Sequence, residues 1–186
     1  MNNTREKIVE LSRDLIQQIG YHSFSYKQVS EQLNIQNASI HHYFPSKEDL
    51  AIAVIEKDKS DFAAMVKYLD TSDPADKLEA VLNNYVNYFN QGRKLCMIST
   101  FGSIYNNIPE KIQEAIRQYA ASIKSWLTQV FKEGIDTGNF HFDSSVDDMV
   151  TSWFVSLPGS LQMGRLAGES YFREVIEQLR RSLKIK

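Results

Sequence analysis

Residues 20–50 read GYHSFSYKQVSEQLNIQNASIHHYFPSKEDL, and this stretch decides the fold. Its pattern of apolar and capping residues predicts two short helices, over residues 25–33 and 37–43. Ser25 and Gln28 have the spacing of a capping box, in which each side chain accepts a hydrogen bond from the other residue's backbone N–H. The first of the two helices should therefore begin at Ser25.

The link between these helices is short. Residues 34–36, Asn-Ile-Gln, would form the turn, and Leu33, Ile35 and Ile40 would pin the two helices together. The polar residues of the second helix would then point outward. Since a helix fits the major groove of B-DNA, its outward side chains could reach base edges and phosphates.

Helical spacing continues along the rest of the chain, and convincing strand alternation is absent. A first helix should end near Gly20, and Asp73-Pro74 is a break that opens a new helix. Pro158-Gly159 should kink the helix that contains it or break it into two. After the helix pair, helical segments are predicted over residues 47–69, 74–92, 93–106, 109–134, 145–167 and 170–183.

Composition fits a folded protein, with 42% hydrophobic and 24% charged residues. No run resembles a signal peptide or a membrane span, so the protein is expected to be cytoplasmic, without contact with a membrane. The net charge of −2 carries no global signature of nucleic-acid binding. His41 and His42 diverge by about 100° on a helix, so no metal is expected, and nothing calls for a cofactor. No phosphate loop, nucleophile elbow or HExxH motif indicates an enzyme.

A glycine, a serine-capped helix, a short turn and then residues 40–50, IHHYFPSKEDL, resemble the DNA-binding domain of the tetracycline-repressor (TetR) family. Gln36 and His41 depart from the residues usual there, so no relative's operator sequence can be transferred. The resemblance implies an all-α fold, with a three-helix helix-turn-helix domain over residues 1–47. A helical ligand-binding and dimerisation domain of about six helices would follow over residues 48–186.

Roles in DNA binding follow from the same resemblance. Residues at the start of the second helix would meet phosphate, those of the third helix would face the groove, and the residues after them would contact the backbone. Tyr43 could instead be a core aromatic, as we expect for Phe44. The DNA-binding residues implied are Ser25, Lys27, Gln28, Gln36, Asn37, Ser39, His41, His42, Tyr43 and Lys47.

The resemblance also implies a ligand cavity and a dimer interface in the C-terminal helices. The sequence supplies bulky side chains for the cavity, although aromatic residues at helical spacing are often plain core. The candidate ligand-binding residues are Met65, Tyr85, Phe89, Cys96, Met97, Phe101, Tyr105, Tyr119, Trp126 and Trp153. The candidate dimer residues, on the last two helices, are Val146, Val150, Leu157, Leu161, Val175, Ile176, Leu179 and Leu183.

The function expected is that of a homodimeric, sequence-specific repressor released from a near-palindromic operator on double-stranded DNA by an unknown small molecule. An oxidant or electrophile acting at Cys96 could replace that molecule, because a helix N-terminus lowers the pKa of a thiol. Inert packing is the other interpretation of this cysteine. Two further alternatives stay open: a transcriptional activator of the same family, and a helical ligand-binding or protein-interaction module with a vestigial DNA-binding domain.

Overall fold

The computed structural model describes residues 3–183, and all its regular structure in that range is helical. The helices are α1 (Asn3–Ile19), α2 (Tyr26–Leu33), α3 (Asn37–Tyr43), α4 (Lys47–Tyr68), α5 (Pro74–Asn90), α6 (Met97–Gly102), α7 (Glu110–Asp136), α8 (Val146–Ala167) and α9 (Glu169–Ser182). A single 3₁₀ turn, Tyr105–Asn107, lies before α7. The expected all-α architecture is therefore confirmed. None of these helices has the length and apolar character that crossing a membrane requires.

Two elements differ from the expectation. The segment over residues 93–106 holds only the six-residue helix α6, because Lys94 and Leu95 bond backward to Tyr88 and Gln17 rather than entering a helix. Helix α8 runs unbroken through Pro158, so the expected break into two helices is wrong. A hydrogen bond from the Ser99 hydroxyl to the Pro158 carbonyl oxygen, at 3.3 Å, ties this part of α8 to α6.

Two hydrophobic clusters form the core. The first joins α1, α2, α3 and the start of α4 to buried residues of α6 and α7, among them Met97, Phe101 and Ile112. The second fills the space between α5, α7, α8 and α9 around Phe131 and Trp153. The N-terminal helices therefore share a core with the C-terminal ones. The packing shows no gap at residue 47. The domain boundary expected there remains a prediction about function.

Candidate nucleic-acid interface and ligand cavities

The turn between α2 and α3 is built from local hydrogen bonds. Ser25 caps α2 by accepting from the Gln28 backbone N–H at 3.3 Å, and the Gln28 side chain accepts from the Ser25 N–H at 2.8 Å. The predicted capping box is therefore present. Asn34 ends α2 in the left-handed region at φ 52°, which an asparagine tolerates better than most residues. Gln36 precedes α3, and its side chain makes no capping hydrogen bond.

Helix α3 buries one residue and exposes most of the others. Ile40 is fully buried, whereas Tyr43 is 40% exposed. Ser39 is half-buried. Four polar residues predicted to contact DNA are exposed along this short helix and its N-cap: Gln36, Asn37, His41 and His42. The helix therefore presents a polar face to any partner, as the helix-turn-helix interpretation requires.

Tyr26 holds this unit against α4, a role the sequence did not reveal. Its hydroxyl donates to the carbonyl oxygens of Phe44 and Ser46, at 3.0 and 2.5 Å. Its ring lies 4.8 Å from the ring of His41, centroid to centroid. Burial raises the pKa of Tyr26 to about 12, so the hydroxyl keeps its proton at neutral pH. The signal in the sequence was an aromatic residue directly after a capping serine.

The ammonium group of Lys47, which was expected to contact DNA phosphate, is engaged in contacts within the chain. It donates to the His22 carbonyl oxygen at 3.1 Å and lies 4.6 Å from the centre of the Phe24 ring. A second ring, that of Tyr21, lies 4.9 Å away. Burial lowers the pKa of Lys47. Removing this side chain would disturb packing as well as any DNA contact, whereas the exposed Lys27 side chain contacts Glu31 at 3.8 Å on the surface of α2.

Two cavities meet between α4, α5 and α7. The wide cavity has a volume of about 450 Å³, and Arg13 on α1 forms part of its lining. The narrow cavity, of about 40 Å³, lies deeper and is lined mainly by apolar and aromatic side chains. The two share a wall formed by Phe62, Met65, Asn84, Tyr88 and Tyr119.

Six of the ten candidate ligand-binding residues line the narrow cavity: Met65, Tyr85, Cys96, Met97, Tyr119 and Trp126. The other four line neither cavity, because each packs elsewhere. Phe89 stacks on Phe172 with ring centres 4.2 Å apart. Phe101 and Trp153 are fully buried in the first and second clusters, and the Tyr105 hydroxyl accepts a bond from Arg117 at 2.7 Å.

A buried ion pair at the edge of the wide cavity was not anticipated. Arg13 on α1 places Nε 2.5 Å from Oδ1 of Asp58 on α4. Asp58 is only 3% exposed, and burial raises its pKa to about 6 in spite of Arg13. Burying an unpaired carboxylate is costly, so the pair holds α1 to α4. The signal in the sequence was an acidic residue at apolar spacing, four positions after Val54.

Cys96 is the N-cap of α6, as expected, but its thiol is not activated. The sulfur accepts from the Ser99 N–H at 3.4 Å and from the Tyr85 hydroxyl at 3.6 Å. Burial outweighs these bonds and raises the pKa of Cys96 to about 11. The expectation that the helix N-terminus lowers this pKa is therefore wrong, because desolvation of the thiolate is the larger effect.

The candidate dimer residues are mostly used inside the chain. Val146 and Val175 are half-buried, and the remaining six are buried in the second cluster: Val150, Leu157, Leu161, Ile176, Leu179 and Leu183. These six side chains cannot form an exposed surface. The exposed apolar residues of α8 and α9 lie on another face, with Val155 65% and Leu166 82% exposed, together with Met163 and Tyr171. We call these four residues the outer apolar face.

Known proteins resemble this chain in sequence and structure. Residues 8–54 match the family model of bacterial regulatory proteins, tetR family. The fatty acid metabolism regulator protein of Bacillus subtilis (strain 168) is 20% identical over 161 residues, which are 81% of this chain and 83% of that protein. A TetR-family transcriptional regulator from Agrobacterium tumefaciens is 27% identical, with a TM-score of 0.89 and 98% of each chain covered. One from Legionella pneumophila is 28% identical, with a TM-score of 0.87 and coverage of 100% and 99%.

Proposed function

This chain belongs to the tetR family of bacterial regulatory proteins, and from that premise we propose that it is a homodimeric, ligand-released repressor acting in the cytoplasm. It is a DNA-binding transcriptional regulator and not an enzyme. What we add is the mode of operation: binding to a near-palindromic operator, and departure from it when a small molecule occupies the C-terminal cavities.

The observation that carries this proposal is the exposed polar face of α3, held on a rigid support. Gln36 and Asn37 carry amides that can pair with adenine in the major groove. Tyr26 fixes the support by bonding to both sides of the turn between α3 and α4. Positioning by rigid elements is what base recognition requires, because misplaced donors and acceptors lose their hydrogen bonds.

A dimer would give this face its selectivity. Two recognition helices about 34–36 Å apart meet successive major grooves on one side of the duplex. An operator read in this way is a near-palindrome. The outer apolar face of α8 and α9 supports pairing with a second copy, because it exposes four large apolar side chains to solvent.

Ligand control requires that the two forms of the dimer differ in affinity for the ligand, with a typical coupling of about 1–3 kcal/mol. The cavities favour such control because they lie between α4, α5 and α7, while Arg13 on their edge belongs to the DNA-binding part of the chain. A molecule that enlarges the narrow cavity would move α4. That helix begins directly after the recognition helix, so its movement would change the spacing of the two recognition helices.

Direct oxidation of Cys96 is the weaker mode of release. The buried thiol with its raised pKa holds little thiolate at neutral pH, and the thiolate is the reactive form. If release by an oxidant is nevertheless observed, the Cys96→Ser variant decides the matter. Unchanged release in that variant would exclude the cysteine.

The decisive experiment measures fluorescence anisotropy of the full chain on duplex DNA from its own upstream region, beside a scrambled duplex, at two salt concentrations. We expect tight, salt-sensitive binding to the native duplex only. The Tyr43→Ala variant should bind it about tenfold more weakly, since a phosphate contact is lost. Tyr68→Ala, which removes an exposed tyrosine on α4 instead, is the matched control. Equally weak binding to every duplex in a random-sequence selection would contradict the proposal.

A further inference from the structure

The wide cavity carries more negative charge than its own cations balance. We propose that it binds an organic cation with an aromatic or otherwise apolar body, with the positive charge held by Asp58 and Asp61. That this cation is the molecule releasing the protein from DNA rests on the function proposed above. The binding site itself does not.

The ion pairs around the cavity leave one carboxylate in excess. Asp58 and Asp61 contact Arg13 at 2.5 and 3.2 Å, and Lys57 contacts Asp61 at 2.6 Å and Glu10 at 3.2 Å. Three acidic groups thus share two basic ones, a net charge of −1. Among the described residues that line the cavity, Arg13, Asp58 and Asp61 are the ones that carry charge.

Part of the negative charge of this group of residues is buried, where a charge is costly. Asp58 is 3% exposed, so little water solvates its carboxylate, and burial raises its pKa in spite of Arg13. The group is still largely ionised at neutral pH. A second cation entering from the cavity would relieve this cost, since two opposite charges attract far more strongly at a partly buried site than in water.

The remaining walls suit such a guest. Asn83, Asn84 and Asn87 on α5 bring amide oxygens that can accept from an ammonium group. Tyr88, Tyr119 and Phe62 add aromatic rings, which attract cations through their faces. The last three residues also form the wall shared with the narrow cavity, so the wide cavity has an apolar side against which the body of the guest can pack. The volume of about 450 Å³ lies within the usual range for small-molecule sites.

The same lining disfavours an anionic ligand. Among the lining residues that the structure describes, its one cationic partner would be Arg13, which is already paired with Asp58 and Asp61. It would also approach two carboxylates, and like charges repel strongly at a partly buried site. The cavity therefore discriminates by the sign of the charge.

A bound cation would also act on α1. Arg13 is the α1 residue of the buried ion pair, so a guest that neutralises Asp58 competes with the bond that holds α1 to α4. Helix α1 packs on the helix-turn-helix through the first cluster. A bound cation would therefore affect the DNA-binding unit through the Arg13–Asp58 ion pair.

The test uses two ions of nearly the same shape and opposite charge, tetraphenylphosphonium and tetraphenylborate, titrated calorimetrically into the full chain. We expect the phosphonium to bind at least about tenfold more tightly than the borate. Asp61→Asn should weaken phosphonium binding roughly five- to tenfold. Glu56→Gln, which removes an exposed carboxylate elsewhere on α4, should not change it.

Asp58→Asn tests the buried carboxylate directly, but it leaves Arg13 without its closest partner. Asp61 is half-exposed, so the Asp61→Asn variant should fold even if Asp58→Asn does not. Three results would overturn the cation site: no phosphonium binding at millimolar concentration, borate binding as tightly as phosphonium, or Asp61→Asn binding phosphonium as tightly as Glu56→Gln.

Anisotropy on operator DNA separates this inference from the proposed function. Selective DNA binding by a protein that binds no phosphonium would overturn the cation site and leave the proposed function standing. Phosphonium binding by a protein that selects no DNA would support the site and contradict the proposed function.

Discussion

The Cys96 thiol experiences two opposing influences at the scale of a single residue. Hydrogen bonds from the Ser99 N–H and the Tyr85 hydroxyl favour the thiolate, but the complete burial of the group disfavours any charge. Burial is the larger effect, since the pKa rises to about 11. The position of a residue on a helix therefore does not fix its reactivity when the surroundings are dry.

We predict that iodoacetamide alkylates Cys96 slowly in the folded protein at pH 8. The raised pKa makes the thiolate roughly a hundredfold rarer than in the unfolded chain, and burial restricts access as well. The thiolate should become abundant only as the pH rises towards 11. Mass spectrometry after timed quenching measures the rate, and the same chain in urea is the control. Equal rates in the two states would show that the thiol is exposed and activated.

Gly134 on α7 has no room for a side chain. A Cβ atom at this position would overlap the Phe140 ring, which packs against Phe131 in the second cluster. Gly134→Ala should therefore lower the free energy of unfolding by about 1–3 kcal/mol, although alanine favours helices. In Gly102→Ala the new methyl group meets open space, so this control should be neutral or slightly stabilising. Urea unfolding compares the two, and equal stabilities would contradict the close packing of Phe140.

At the scale of helices, Tyr26 decides how α2 and α3 meet α4. Its hydroxyl donates to two carbonyl oxygens that follow α3, where the chain turns into α4. Tyr26→Phe should cost about 1–2 kcal/mol of stability, because the buried Phe44 carbonyl oxygen loses its donor. It should also weaken operator binding by loosening the turn that positions α3. Tyr68→Phe, at a tyrosine that is 85% exposed, serves as the control. Thermal unfolding and anisotropy together measure both effects.

A normal operator affinity in Tyr26→Phe, combined with reduced stability, would limit Tyr26 to a structural role. A change in neither quantity would mean that the two hydrogen bonds contribute nothing in solution.

Local signals predicted the helices well where capping residues mark their ends. Ser25, Asp73-Pro74 and Pro109 each stand at the start of a helix, as expected. The break predicted at Pro158 is absent. A proline removes only one hydrogen bond from the helix, and the packing of α8 against α5, α7 and α9 keeps the helix intact. Packing between distant segments outweighs a local signal, and a single sequence does not reveal such packing.

The candidate sites show the same limit. Exposed residues of α3 could be selected from the sequence, because a short amphipathic helix has one apolar side and the rest faces solvent. For the candidate dimer residues the sequence is less informative, since a stripe of apolar residues packs in the same way against its own chain or against a second copy. Leu157 and Leu161 turned inward, while Leu166 turned outward. Asp58 was overlooked because a buried acidic residue is rare without a partner, and Arg13 lies 45 positions away along the chain.

At the scale of the whole molecule, the end of α1 is tied to the C-terminal helices at several points. Lys94 contacts Asp14 at 2.8 Å, and the Leu95 N–H donates to the Gln17 carbonyl oxygen at 3.0 Å. Arg165 on α8 donates to the same Gln17 oxygen at 2.8 Å and to the Arg93 carbonyl oxygen at 2.7 Å. Helix α8 carries most of the outer apolar face, so these bonds join the proposed dimer surface to the DNA-binding unit.

The dimer can be tested by a single charge on that surface. Leu166 is 82% exposed in the isolated chain, so Leu166→Glu should leave the fold intact. In a dimer built on the outer apolar face, the new carboxylate would be buried without a partner, which is strongly unfavourable. We expect the dissociation constant of the dimer to rise roughly thirtyfold. Operator binding should weaken as well, because a monomer contacts only one half-site. Light scattering after gel filtration measures the mass, and Tyr68→Glu is the control for an exposed residue outside the face.

A stable dimer in Leu166→Glu would place the interface elsewhere. Loss of the dimer with unchanged operator affinity would show that a monomer suffices to bind DNA.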